Sequence, residues 1–350
     1  MEHIFENYTG MSQEDNFDKI ILENKEYSVD MCNNNVEDIY NQKVSENIFN
    51  NINKTQDEYQ YINLLENILE NGTWIEGRNG KTKSLFGNSL RFSLKDGQIP
   101  ILTTKKTAWK TCLKEMLWFI SGETDNKNLK SQGVHIWDAN GSREFLDSRG
   151  LIDYQEDELG PIYGWQWRYF NKDYIPNINR NNESDKQCEK GIDQLQQIID
   201  MLKDPQQRYS RRMIMSAWNP CQLDKMALPP CHVLCQFNVH DGNKLSCALF
   251  QRSCDFFLGI PFNIASYSML THLLAKHCGL EAYEFVHFMG NCHIYENAIE
   301  ASKTQITQEP YPFPTISIKQ SRENINDYQD IDFELHNYHH HPPIKVAMVA

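Results

Sequence analysis

The chain contains no run of 18 consecutive apolar residues, the length that a membrane-crossing helix needs. Its ten cysteines, scattered from Cys32 to Cys292, include no CxxC pair, which argues against both a zinc ribbon and a disulfide framework. An excess of positive charge is missing as well. Thirty-four Lys and Arg against 47 Asp and Glu leave a net charge of −13, so broad affinity for nucleic acid through phosphate neutralisation is not expected. The N-terminus, Met1-Glu2-His3-Ile4-Phe5-Glu6, is acidic where a secretory leader is basic and then apolar. Together these absences predict a soluble intracellular protein, cytoplasmic and without a membrane partner.

Arginine is absent from residues 1–56, which carry 11 acidic and 4 basic residues, 11 Asn and one Gly. So polar a segment buries too little apolar surface to offset its ordering entropy. Residues 1–56 are therefore expected to be a poorly ordered acidic extension and residues 57–350 the folded domain. His339-His340-His341 runs into Pro342-Pro343 with no further partners at ligand spacing, so it reads as a solvated turn and no metal is expected.

What is present centres on Leu228–Asn263. After Leu228-Pro229-Pro230-Cys231-His232, apolar residues alternate to Val239, the period of a half-buried strand. His240-Asp241-Gly242-Asn243 is a strong hairpin signal, and a second strand follows from Lys244 to Gln251. If His240 pairs with Asn243, Cys231 lies opposite Arg252; a turn one residue longer puts it opposite Ser253. Either register brings a guanidinium near the thiol, which favours thiolate and predicts a lowered pKa. Cys231 is thus a candidate nucleophile, with a buried strand-end cysteine as the alternative.

Thr55-Gln56-Asp57-Glu58 resembles a capping box before the helical spacing Ile62, Leu65, Ile68, Leu69, which ends at Gly72. Glu76–Lys81 reads as a charged loop before a strand from Ser84 to Leu94. A helix over Thr107–Ser121 is apolar on nearly every side, which leaves Glu115 a carboxylate with little water and a raised pKa. It is either a proton-transfer group or half of a structural ion pair. The aromatics of Ile136-Trp137-Asp138 and Gly160–Arg168 suit either a cavity wall for a planar ligand or ordinary core. Residues 171–190 read as an Asn-rich surface loop, Gly191–Lys203 as an amphipathic helix, and Met213–Trp218 as a strand led by Arg211-Arg212. A long helix to Cys278 closes at Gly279, and strands follow at Tyr283–Phe288 and Thr315–Lys319, with a helix at Tyr295–Ser302. Mixed elements without strict alternation make the class α+β, a single large domain with a mixed, mainly antiparallel sheet flanked by helices. Arg78, Arg211, Arg212 and Arg252 are the groups with which an acidic protein would bind an anionic substrate.

Pro230-Cys231-His232 with Gln236, Gln251-Arg252-Ser253-Cys254-Asp255, Leu258–Tyr267 and His293-Ile294-Tyr295 stand in the order and spacing of the thymidylate synthase family, and the chain resembles it from about Glu58 to Ala350. The resemblance implies that fold and reductive methylation of dUMP to dTMP, with 5,10-methylenetetrahydrofolate as co-substrate and no nicotinamide. It makes Cys231 the nucleophile at uracil C6. Arg78, Arg252 and Ser253 would hold the phosphate, with Arg211 and Arg212 donated by the other subunit of a homodimer. Asn263 would read N3 and O4 of the base, and His293 and Tyr295 the 3′-hydroxyl. Glu115, with Tyr163 and His232 in the same polar network, would relay protons. Asp255 would bind the pterin, with Ile136, Trp137, Leu228, Gly259 and Phe262 around it, while the C-terminal residues, Val349 among them, close over both ligands.

The chain departs from the family pattern at Asn79-Gly80-Lys81-Thr82-Lys83, in the loop after Arg78, and at Asn291-Cys292 before His293. Some members are fused behind a dihydrofolate reductase. Fifty-six residues are too few to hold one, so no reductase activity is expected. Related alternatives are a deoxycytidylate hydroxymethylase, which carries Asp where Asn263 stands, and a non-catalytic nucleotide- or RNA-binding homologue; binding to its own message is left open. A Cys-His hydrolase fits poorly, because adjacent strand residues point to opposite faces.

Overall fold

The alternation around residue 240 forms the middle of a six-stranded sheet. The structure, a computed structural model, describes residues 57–176 and 191–349. The strands are β1 (Thr73–Gly77), β2 (Gly80–Ser93), β3 (Ile214–Ser216), β4 (His232–His240), β5 (Lys244–Asp255) and β6 (Glu281–Tyr295), in the order β1-β2-β6-β5-β4-β3. Every neighbouring pair is antiparallel except β5 and β6, so the sheet is mixed and the class is α+β. A separate antiparallel pair joins β7 (Thr315–Ile318) to β8 (Phe333–His336).

The main helices are α1 (Glu58–Asn71), α2 (Trp109–Ile120), α3 (Tyr163–Tyr169), α4 (Gln194–Lys203), α5 (Gly259–Cys278) and α6 (Ile299–Ile306). Parallel strands need a crossover connection, and α5 provides it between β5 and β6. The helix is apolar nearly all round: Ile260, Ile264, Leu270 and Leu274 are completely buried, each stabilising the fold by roughly 1.5–3 kcal/mol. It packs on β5, β6 and α2, and it stops at Gly279, whose φ of 69° is the left-handed cap that glycine adopts without steric cost.

Strand parity divides the sheet into two unlike faces. Met215, Cys235, Phe237, Cys247, Leu249, Phe285 and His287 are buried under the helices. On the other face Phe250 pairs with Phe288 and with Leu234. There Ile214, Phe250 and Phe288 are 46%, 42% and 46% exposed, an apolar surface with no cover among the described residues.

The hairpin takes the longer of the two anticipated turns. His240 pairs with Lys244, and Asp241 and Gly242 both have positive φ. That register alone would put Cys231 opposite Ser253. An irregularity between His232 and Leu234 moves the pairing back by one residue, so the Arg252 N–H donates to the Cys231 carbonyl at 2.9 Å. The extra residue of the tip is cancelled by a bulge at Val233.

Several expectations need correction. Glu58 does not cap α1: it is buried, and its carboxylate accepts from the backbone N–H and hydroxyl groups of Thr103 and Thr104. Asp57 is the N-cap residue, without a side-chain cap bond; Thr55 and Gln56 lie outside the described residues. The charged loop at 76–81 is a hairpin, with Gly77 paired to Gly80 and Arg78-Asn79 at its tip; glycines flanking charged residues hid its strand character. Tyr163–Tyr169 is a helix, and of the two readings of its aromatics Trp165 and Trp167 take the ordinary-core one. The expected strand at 213–218 shortens to β3. Residues 177–190 of the expected loop, like residues 1–56, lie outside the described residues.

Candidate active site

Cys231 stands at the mouth of β4, partly buried. Its N–H donates to the Tyr163 hydroxyl at 2.8 Å, and its carbonyl is held by Arg252. The Arg252 guanidinium is fixed by Nε donating to the Pro230 carbonyl (2.9 Å) and Nη2 to the Pro229 carbonyl (2.8 Å), and it sits 5.4 Å from the centre of the Trp218 ring. Among the described residues no hydrogen bond occupies Nη1, which can meet an anion. Contrary to the expectation from sequence, burial pushes the Cys231 thiol above its ordinary value and outweighs the lowering by Arg252. One guanidinium does not offset the desolvation of a thiolate.

The following residue turns the other way. His232 is buried, and burial lowers its pKa to about 4; its ring packs against Tyr163 and Tyr267. A neutral imidazole on the opposite face is poorly placed to deprotonate its neighbour, which counts against hydrolase chemistry.

Helix α2 presents Glu115 towards the same space. Its Oε1 accepts from Trp137 Nε1 at 2.8 Å, and burial raises the carboxyl to about 7. No cation pairs with it among the described residues. A carboxyl poised near neutrality suits proton transfer.

The parallel β5–β6 pair assembles much of the remainder. Ser253 lies beside Asn291 and Asp255 beside His293. Asp255 Oδ1 accepts from the N–H groups of Phe257 (3.2 Å) and Leu258 (3.0 Å), and burial raises its pKa against the lowering by these bonds, His293 and Lys105. His293 Nδ1 is 2.9 Å from Asn291 Oδ1, so the residue that departs from the family pattern orients the ring. Tyr295 stacks edge-on to His293 and feels Asp255, Cys231 and Arg78 electrostatically, which brings the tip of the β1–β2 hairpin to the same rim.

At the start of α5, Asn263 Oδ1 accepts from Gln251 Nε2 at 3.0 Å, and Gln251 Oε1 accepts from His287 Nε2 at 2.9 Å. Ile136, Leu228 and Phe262 are partly buried against the core, and Trp137 is buried. Gly259 lies close to Asp255 and Asn263, and Val349 is partly buried.

Two predicted site residues are not brought in. Arg211 and Arg212 are exposed and precede β3. Because Ile214 pairs with Gln236, they lie near the Asn238 end of β4, about seven residues or ~20 Å along the strand from Cys231. They cannot reach the thiol of their own chain.

Sequence reasoning gave no role to Gln251, His287 or Asn291. The available signal was a polar residue at an inward position of an otherwise apolar strand face: such a group needs a partner.

The family model described as Thymidylate synthase matches residues 59–350. The chain is 47% identical over 299 residues to a bifunctional dihydrofolate reductase-thymidylate synthase of Leishmania major, covering 85% of this chain and 56% of that protein. It is 49% identical over 294 residues to a thymidylate synthase of Homo sapiens, covering 84% of this chain and 91% of the human one. A probable thymidylate synthase of Schizosaccharomyces pombe is 48% identical over 307 residues, 84% of this chain and 48% of that protein. The chain thus spans about half the length of the bifunctional relatives it matches.

Proposed function

The chain belongs to the thymidylate synthase family, and on that premise we propose that it is a methyltransferase converting dUMP to dTMP. The observation that carries this reading is the backbone pairing of Cys231 with Arg252 at 2.9 Å, which sets a nucleophilic sulfur beside an anion-binding group. The co-substrate is 5,10-methylenetetrahydrofolate, which supplies first the one-carbon unit and then a hydride and leaves as dihydrofolate.

Arg252, Arg78 and Ser253 bind the 5′-phosphate. Cys231 adds its sulfur to C6 of uracil, and the displaced electron pair makes C5 nucleophilic. Asn263 holds the O4 and N3 edge of the ring, and His293 and Tyr295 hold the 3′-hydroxyl. Glu115, near neutrality, passes protons to and from the base through water, within a network that includes Tyr163 and His232. Asp255 has one oxygen already held by backbone N–H groups and turns the other to the pterin, which Trp137, Ile136, Leu228, Gly259, Phe262 and, from the C-terminus, Val349 surround.

The working unit is a homodimer. The uncovered apolar face bearing Ile214, Phe250 and Phe288 supports it, and so does the distance of Arg211 and Arg212 from their own Cys231. Donated by the partner, these arginines add the positive charge that Arg252 alone lacks and favour the thiolate. No helix among the described residues is long and apolar enough to cross a membrane.

The test is intact-mass spectrometry with 5-fluoro-dUMP and the folate. A ternary covalent adduct mapped to Cys231 is expected, and bound ligands without any adduct would falsify the mechanism. Mixing inactive Cys231→Ala with inactive Arg211→Ala protein tests the shared site, because mixed dimers rebuild one intact site and recover activity.

A further inference from the structure

Cys292, one of the departures from the family pattern, has no part in the chemistry above. It stands directly beside Cys254 in the parallel β5–β6 register, and strand parity puts the two side chains on the same side of the sheet. Both are completely buried, and both are free thiols. Their surroundings hold them in place. Cys254 Sγ lies 3.5 Å from the Gln251 carbonyl, and Asn88 Nδ2 donates to Cys292 Sγ at 3.8 Å.

We propose that Cys254 and Cys292 are a modification site, a dithiol that hydrogen peroxide converts to a reversible cross-strand disulfide, drawing β5 and β6 together and lowering turnover. Formation of this bond asks nothing of Cys231 and stands apart from the dUMP reading.

The two sulfurs are unequal. The hydrogen bond from Cys254, helped by Asn88, holds the Cys292 thiol below its ordinary value, whereas that same bond and burial hold Cys254 above it. Thiolate is the nucleophile, so Cys292 reacts first. Its sulfur attacks a peroxide oxygen and the O–O bond breaks, leaving a sulfenic acid on Cys292 and releasing hydroxide. The Cys254 sulfur then attacks the Cys292 sulfur. An S–S bond forms, the S–OH bond breaks, and the hydroxyl leaves with the Cys254 proton as water. Two thiols are oxidised and one peroxide is reduced.

The bond changes the spacing of the strands. Neighbouring strands run ~4.8 Å apart and facing Cβ atoms share that spacing, whereas a disulfide holds its Cβ atoms ~3.8 Å apart, so the strands must approach by about 1 Å. Glycine at position 290 leaves room for this, since a Cβ there would meet the Arg252 carbonyl at 2.9 Å. Ser253 and Asp255 flank Cys254, and Asn291 and His293 flank Cys292. The movement therefore reaches residues assigned to both ligands, and a displacement of that size lowers turnover about 100-fold. Departure from relaxed geometry also makes the bond more reducible, which keeps the change reversible.

The experiment treats the full chain with hydrogen peroxide. In Cys231→Ala protein, where the catalytic thiol cannot take the oxidant, peptide mass spectrometry without reductant should find residues 254 and 292 joined with the loss of two hydrogens, and dithiothreitol should separate them. In wild-type protein, with Cys231 shielded by saturating dUMP during oxidation, turnover should fall about 100-fold and return with dithiothreitol. Cys292→Ala should keep its turnover under the same treatment.

Cysteines 254 and 292 that stay unlinked in folded Cys231→Ala protein overturn the proposal. So does a link that leaves wild-type turnover unchanged, or a loss of turnover that Cys292→Ala shares. Failure of wild-type protein to bind dUMP removes the dUMP reading instead, an outcome distinct from the presence or absence of the link in Cys231→Ala.

Discussion

The helix-covered and open faces of the central sheet are made by the same strands, residue by alternate residue, yet they do opposite work. The covered face holds neutral polar groups in fixed orientations: His232, His287 and Gln251 are all buried. The open face holds an apolar surface, and at the end of the β4–β5 pair the Arg252 guanidinium stands beside the Cys231 backbone. Recognition that depends on the direction of a hydrogen bond needs exclusion of water, whereas capture of an anion needs access to it. One alternating strand supplies both, because its period of two assigns each residue to one environment or the other.

The largest effect expected from breaking this division is at Cys231. Cys231→Ala should lower turnover about 10⁴-fold or more, while His232→Ala, one residue away on the covered side, should cost about 10- to 100-fold; steady-state dihydrofolate formation measures both. Equal losses would remove the distinction between the faces.

The next pair is also adjacent. Leu249→Asp places a charge in the fully buried core and should prevent folding, an effect above ~4 kcal/mol. Phe250→Asp, on the open face, should leave a folded chain that sediments as a monomer and has lost most of its activity. A dimer that survives Phe250→Asp would exclude this surface as the interface.

A third prediction concerns pH. Burial raises Glu115 to about 7, so between 4.5 and 7 the folded protein holds a proton that the unfolded chain releases, and stability falls as pH rises through that window. Glu115→Gln lacks this dependence. Relative to wild type, the variant should gain roughly 2 kcal/mol between pH 5 and pH 8 in urea titrations; a difference independent of pH would show that the carboxyl ionises as it does in water.

The smallest effect is on the rim. Lys81 and Glu296 pair at 3.2 Å but are 42% and 63% exposed, so Lys81→Ala should change stability by no more than ~0.5 kcal/mol and weaken dUMP binding only slightly, a difference that rising salt abolishes.

Local features were legible in the sequence. Asp241-Gly242 announced the hairpin, the periodicity ending at Gly279 announced α5, and Cys231 could be set near Arg252 by register alone. What escaped is non-local. The parallel pairing of β5 with β6 follows from the crossover by α5, and nothing in either strand encodes the alignment of Asp255 with His293. Gln251 and His287 meet across 36 positions of sequence. The direction of the Cys231 shift was missed because a neighbouring arginine can be read from register, whereas burial depends on everything packed around the thiol.

The irregularity at Val233 has a consequence of its own. It works like a slip joint: slack introduced at the far tip, where Asp241, Gly242 and Asn243 turn the chain, is taken up before it reaches the end where sulfur and guanidinium meet. Loop length in this hairpin and the alignment of its reacting groups are therefore separately adjustable, so a residue gained or lost at one end need not be repaid by rebuilding the other.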